Sequence, residues 1–151
     1  MDKGASYQII KKEEEAKKCA EVVYRYLKSN EQTFYTEEDL KKLFSSQNSL
    51  TLYAEVSEKI VGLVSGIISP SPMIRLLVVL DEDQAKKGLG GDLIDKFVET
   101  VKKLVPTAKI VSTMISNEQN NAISLYLMKG FTISGFVYEE DRGIVVLRRR
   151  I

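Results

Sequence analysis

The residues best placed to do chemistry lie together in Lys86-Lys87-Gly88-Leu89-Gly90-Gly91. Before them, Leu76 to Leu80 form an unbroken apolar run bounded by Asp81, Glu82 and Asp83, the pattern of a strand buried on both faces. After them, Leu89, Leu93, Ile94, Phe97, Val98 and Val101 recur at helical spacing. The chain therefore passes from strand to helix across residues 86–91. The first turn of a helix presents N–H groups without an intrahelical acceptor, at the positive end of its dipole. Glycines at 88, 90 and 91 would let a phosphate approach that backbone, and Lys86 and Lys87 bring two cations to the same point. An ordinary tight strand-to-helix connection with solvated lysines would read the same way, so both interpretations stand. Two common phosphate loops are excluded. The nucleoside-triphosphate loop ends in Gly-Lys-Ser/Thr, whereas Gly90 is followed by Gly91 and Asp92, and the dinucleotide fingerprint requires a small residue where Leu93 stands.

Composition removes other chemistries. The 151 residues contain no histidine, which excludes histidine-based triads, and no Cys/His cluster that could hold zinc, so no metal is expected. The single cysteine, Cys19, falls in a helical stripe with Ala16, Ala20 and Val23 and reads as a core thiol. With 44% hydrophobic and 28% charged residues the chain resembles an ordinary soluble protein, long enough for one compact domain spanning 1–151. A net charge of +1 supplies no global field for nucleic acid or an anionic membrane. Asp2 and Lys3 with no apolar run behind them argue against a leader or a membrane span, so a cytoplasmic location is expected.

The elements that would position the loop follow in order. Tyr7 to Ile10 suits an edge strand, and Glu13 to Leu27 an amphipathic helix ended by Ser29-Asn30. After a polar loop, residues 30–35, Thr36 is placed to cap a second helix with Asp39 at the capping-box position. Leu50–Val56 and Ile60–Ile68 read as a hairpin turning at Ser57-Glu58-Lys59, followed after Pro70-Ser71-Pro72 by a strand over Met73–Leu80. These three strands should form an antiparallel meander. The helix beginning near Gly88 ends near Leu104, and Ala108–Ile115 follows as a strand. A strand–helix–strand unit of this length is a parallel crossover, so the fourth and fifth strands should run parallel. Ala122, Leu125, Tyr126 and Lys129 recur at helical spacing before Gly130, which can supply a left-handed cap, and Thr132–Tyr138 with Gly143–Arg150 close the chain as a hairpin.

Two of these segments carry a family resemblance. Gly88-Leu89-Gly90 resembles the glycine half of the acetyl-CoA loop Gln/Arg-x-x-Gly-x-Gly/Ala of the GCN5-related N-acetyltransferases (GNAT). Ala85 stands where that loop has Arg or Gln, with Gln84 one position early. Ala122-Ile123-Ser124-Leu125-Tyr126-Leu127-Met128-Lys129-Gly130-Phe131 resembles the family's closing motif, Asn-x-x-Ala-Ile-x-Leu-Tyr-x-x-x-Gly-Phe. Its asparagine slot holds Gln119, beside Asn120 and Asn117. The resemblance implies an α/β fold with a mixed, mostly antiparallel sheet, a V-shaped opening between the parallel fourth and fifth strands, and helices on both faces. It implies transfer of acetyl from acetyl-CoA to an amine by direct attack in a ternary complex. In those terms, the amides of Lys86, Lys87, Gly88, Leu89, Gly90 and Gly91 would hold the pyrophosphate. Backbone of Val78, Val79 and Leu80 would pair with the pantetheine, one of the amides Gln119, Asn120 and Asn117 would touch the cofactor, and Tyr126 would protonate the departing thiolate. Phe34 and Tyr35 would flank the acceptor. The base is unassigned: Met114 occupies the usual carboxylate position, leaving Glu55, Glu139, Glu140, Asp141 or a water chain. The implied partner is an amine, small or on a protein, with nucleic acid disfavoured, no membrane, and room for a homodimer. Two other readings are a catalytically silent acyl-CoA-binding module, suggested by Ala85, and an adaptor using Arg148-Arg149-Arg150.

Overall fold

The computed structural model describes residues 4–32 and 34–151; Asp2 and Lys3, and Thr33 of the loop before the second helix, lie outside the described residues. A seven-stranded sheet in the order β1-β2-β3-β4-β5-β7-β6 organises the chain. β1 (Ser6–Ile9) is the edge strand expected from its short alternating pattern and pairs antiparallel with β2 (Ser49–Val56). β2 turns into β3 (Lys59–Ile67) through Ser57 and Glu58, whose φ angles of 50° and 65° match a two-residue hairpin turn. β4 (Met73–Val79) continues the antiparallel meander and pairs parallel with β5 (Ile110–Ser116). β6 (Thr132–Glu139) and β7 (Arg142–Arg150) form the last hairpin, with β7 inserted next to β5 and β6 left outermost. Burial explains that order: Ile144, Val145 and Leu147 of β7 are buried, whereas no residue of β6 is.

Helices cover both faces. α1 (Glu13–Ser29) and α2 (Glu37–Ser45) bury Ala16, Cys19, Val23, Leu27, Leu40 and Phe44 against Tyr53, Ile60, Leu63 and Val78. On the opposite face α4 (Leu89–Leu104) buries its whole apolar stripe, with Leu93, Ile94, Phe97 and Val101 at 0% exposure. α5 (Asn120–Met128) packs beside it through Tyr126, whose ring meets that of Phe131 edge-on with centroids 5.0 Å apart. No helix of the described residues is long and apolar enough to cross a membrane.

Two expectations need correction. The run Leu76–Leu80 is not a strand buried on both faces: only Val78 is buried, and the others are half-exposed because β4 loses its neighbour after Ile74. The acidic stretch after β4 is not simple loop either. It forms a short helix, α3 (Glu82–Lys86), because the Asp81 carboxylate accepts from the N–H groups of Asp83 and Gln84 at 2.9 and 3.2 Å.

The cap of α2 is built as its sequence implies. Asp39 N–H donates to Thr36 Oγ1 at 3.0 Å and Thr36 N–H donates to Asp39 Oδ2 at 3.1 Å. Thr36→Ala should lower the unfolding free energy by about 1 kcal/mol in chemical denaturation with an unchanged m-value. An unchanged midpoint would mean that the cap contributes nothing.

Candidate active site

The site begins with a bulge. Opposite β3, Ser65 pairs with Leu76 and Gly66 with Ile74, so Arg75 is the extra residue of β4. A bulge reverses the alternation of the residues beyond it and bends the strand. Parallel pairing with β5 accordingly covers only Met73↔Ser112 and Ile74↔Thr113, after which the strands part. Leu80 N–H donates to Val61 O at 2.8 Å, so Leu80 and, two residues back, Val78 turn their backbone groups toward β3. Leu77 and Val79 therefore face the gap. Of the three residues expected there, Val79 turns its backbone to the gap, as Leu77 does, while Val78 and Leu80 turn theirs to β3.

One wall of the gap is the start of α4. Gly88 adopts φ = 85°, in the left-handed region open to glycine, and precedes the helix as its cap. The Lys87 N–H donates to Asp83 O and Gln84 O and the Gly88 N–H to Ala85 O, both closing the turn of α3. Asp92 N–H donates to Gly88 O, so the N–H groups of Leu89, Gly90 and Gly91 are those left without helical acceptors. Of the six residues expected to present amides, these three have no helical acceptor. Its glycines differ in purpose. A Cβ on Gly90 would stand 3.0 Å from Leu125 Cδ2 and 3.6 Å from Val79 Cγ2, within the cleft, whereas one on Gly91 would collide with Lys129, which holds Asp95 at 2.7 Å. Lys86 is exposed on the rim.

The opposite wall is the start of α5. Gln119 is its cap residue, and Gln119, Asn120 and Asn121 line the same cleft of about 860 Å³ as Leu77, Val79 and Gly90. Two helix N-termini thus converge on one opening. Asn117 does not line it; its N–H donates to Gly143 O at 3.0 Å. Ala85 lines the cleft and brings no polar side-chain group to it. Toward the α1–α2 side the cleft adjoins a smaller pocket of about 210 Å³, which shares Gln32, Leu76, Leu77, Gln119 and Ala122. There Tyr126, 3% exposed, meets Phe34, Tyr35, Thr113 and Met114. Burial holds the Tyr126 phenol well above its usual pKa, with the Thr113 hydroxyl pulling the other way.

The carboxylates considered as bases are elsewhere. Glu55 faces Cys19 and Tyr53 under α1, and Glu139, Glu140 and Asp141 form the exposed β6–β7 turn. Burial pushes the Cys19 thiol up to about 12, which leaves it inert. Sequence reasoning missed Leu77, whose orientation depends on the bulge, and Gln32 on the loop after α1. It also missed Arg75, although Arg75 is the one charge interrupting the apolar strand.

A family profile described as "Acetyltransferase (GNAT) domain" matches residues 10–148. The chain belongs to the GNAT acetyltransferase family. As a family member it is an acetyl-CoA-dependent N-acetyltransferase, and the mixed sheet with parallel β4 and β5 is the fold of its solved relatives. Ard1 from Thermoplasma volcanium superposes with a TM-score of 0.78 at 20% identity, covering 97% of each chain. The ribosomal-protein-S18-alanine N-acetyltransferase from Escherichia coli gives 0.78 at 12% identity, covering 98% of this chain and 94% of that one. AAC(6')-Ib, solved in complex with acetyl-CoA, gives 0.73 at 15% identity over 98% and 94%. No curated protein matches the sequence significantly.

The position of Gly88 sets a test of this GNAT loop. Nothing lies within 4 Å of a Cβ placed there, so any penalty comes from φ alone. Gly88→Ala should destabilise the protein by about 1–2 kcal/mol, and Gly88→Asn by less, because asparagine tolerates the left-handed region. Equal melting temperatures for the wild type and both variants would contradict the strained cap.

Proposed function

We propose that acetyl-CoA lies along β4, its pantetheine paired to the backbone of Leu77 and Val79, its pyrophosphate on the amides of Leu89, Gly90 and Gly91, with residues 1–151 acting as one catalytic domain. The observation that carries this is the half of β4 beyond Ile74, which offers strand backbone to a ligand instead of to β5. The gap suits the group: an extended amide chain replaces the missing strand, and a pyrophosphate meets a helix start with no Cβ at Gly90 to obstruct it. Lys86 adds positive charge at the rim, and Gln119 and Asn120 supply amide groups at the other wall.

Bound there, acetyl-CoA supplies an acetyl group activated as a thioester. The amine lone pair attacks the carbonyl carbon; the C–N bond forms, the C–S bond breaks, and the sulfur takes the Tyr126 phenol proton. The proton shed by nitrogen passes to water, and water returns one to Tyr126. Desolvation does not by itself oppose this exchange, because the burial that raises the pKa of the phenol would also raise that of a thiol beside it. Positioning two reactants in one cleft accounts for much of the remaining acceleration.

The experiment is equilibrium binding of acetyl-CoA together with CoA release across a panel of amines. Tyr126→Phe keeps the contact with Phe131 and should lower kcat by about 10²–10⁴-fold with acetyl-CoA affinity unchanged. A donor with a low-pKa thiol should relieve the loss. An unchanged kcat would reduce Tyr126 to a packing residue. The rate should rise with pH as the amine loses its proton. Because the folded pKa of Tyr126 is raised, its acid form persists past the ordinary tyrosine value of about 10, so no descending limb is expected below that pH. Binding without turnover on any amine would favour the silent module. Salt-dependent nucleic-acid binding without CoA affinity would favour the adaptor. Against the adaptor, Arg149 is held by Asp95 at 3.3 Å.

Two finer points complete the proposal. A cytoplasmic location fits a chain whose one cysteine is buried and unpaired. A homodimer would form along β6, whose outer edge is unpaired and whose Ile133, Phe136 and Tyr138 are 58%, 54% and 75% exposed. Antiparallel pairing of two β6 strands would set the acidic turn at Glu139 of each copy over Arg148 of the other, which faces Thr132 at the opposite end. Sedimentation velocity should show a dimer that Val137→Glu converts to monomer; a monomeric wild type sinks this point.

A further inference from the structure

The smaller pocket beside Tyr126 has a charge balance that narrows the acceptor. Among the described residues that line it, Arg75 is the one with a formal charge. Arg75 is the bulged residue of β4, the kind of position that re-aims a side chain beside a site, and it is exposed with no ion pair among the described residues. A second guanidinium borders the pocket: Arg142 lies 4.9 Å from the centroid of the Phe34 ring. Acidic residues are nearby but do not line it. Glu118 belongs to the larger cleft, while Glu31, Glu139, Glu140 and Asp141 are exposed on the bordering loops. A polycationic acceptor would therefore meet like charge and find no carboxylate in the pocket.

Among the described residues the same lining contains neither carboxylate nor histidine to deprotonate the acceptor. An amine must arrive neutral. At pH 8 about half of peptide N-terminal α-amines, with pKa values near 8, are neutral, against well under one in a hundred amines titrating near 10.4, as lysine does. A volume of about 210 Å³ walled by Phe34, Tyr35 and Met114 suits one residue-sized group.

We infer that this pocket selects an α-amine with a carboxylate beside it, on a free amino acid or at the acidic N-terminus of a peptide, and that Arg75 binds that carboxylate. Guanidinium and carboxylate match in a two-pronged, charge-assisted contact that a lysine or an amide cannot reproduce. The bulge thus serves two ends, parting the strands for the cofactor and presenting the cation that orients the acceptor. The inference rests on the adjoining cleft being the acetyl-CoA site.

The test uses the full chain at pH 8, with CoA release for turnover and calorimetry of acceptor binding in the presence of CoA. The acceptors are free glutamate, a peptide beginning with Glu, the same peptide beginning with Gln, N-blocked lysine and spermidine. The Glu peptide should exceed the Gln peptide in kcat/KM by about tenfold or more, with the difference in KM and in the calorimetric affinity. Arg75→Gln should bring that ratio to about one by weakening the acidic peptide, while CoA still binds. Free glutamate matching the Glu peptide identifies an amino acid as the source, and activity confined to the peptide identifies an N-terminus. Spermidine or N-blocked lysine as the best acceptor, or a preference that survives in Arg75→Gln, overturns the inference and leaves the acetyl-CoA reading standing. A wild type that does not bind CoA overturns both.

Discussion

Parallel pairing between β4 and β5 stops at Ile74↔Thr113, where the Thr113 hydroxyl donates to Ile74 O at 3.0 Å. The rest of the site depends on that ending. Had the ladder continued, the backbone of Leu77 and Val79 would be spent on β5 and no strand edge would remain inside the molecule. Such an edge is ordinarily a liability, inviting another chain to pair. Here it is sheltered by the starts of α4 and α5, so a narrow extended ligand can reach it and a second sheet cannot. Thr113 also lies against the phenol of Tyr126, which ties the end of the strand pair to the position of that hydroxyl.

Much of this was legible in the sequence, because the deciding signals were local. The apolar stripe of α4, the Thr36/Asp39 cap, and Gly130 with φ = 87° are each set by a few neighbouring residues, and each appears where its pattern puts it. Parallel β4 and β5 followed from the length of the connection. What escaped was non-local. Whether Leu77 or Val78 faces the gap depends on one extra residue, Arg75, measured against the register of β3, and a single strand's pattern does not encode its partner's register. The exposure of Leu76 and Leu77 likewise reflects a missing neighbour, while their types are those of a fully buried strand. α3 was overlooked because its signal is one capping aspartate in a run of charges.

Glycine placement shows how packing and binding share the loop. Gly88 is required by its backbone angle and Gly91 by the Lys129–Asp95 pair that fastens α4 to α5, so neither needs a ligand to explain it. Gly90 is different, since a side chain there would enter the cleft beside Val79 and Leu125. The absence of Arg or Gln at position 85 also becomes less consequential. The amides from Leu89 to Gly91 owe their availability to helix geometry, which Ala85 does not alter.

The two hydrophobic clusters divide the site between them. α4, α5 and the strand surface beneath them form one core, and that core fixes both walls of the cleft and Tyr126. α1 and α2 form the other with Tyr53, Ile60 and Leu63, and the loop between these helices carries Phe34 and Tyr35 to the smaller pocket. Close packing makes each cluster resist change internally, yet a loop held by the second can vary without disturbing the first. This explains why the specific motifs fall in the second half of the chain, where the acetyl donor imposes one geometry. The smaller pocket has no such signature, because its loop answers to a different core.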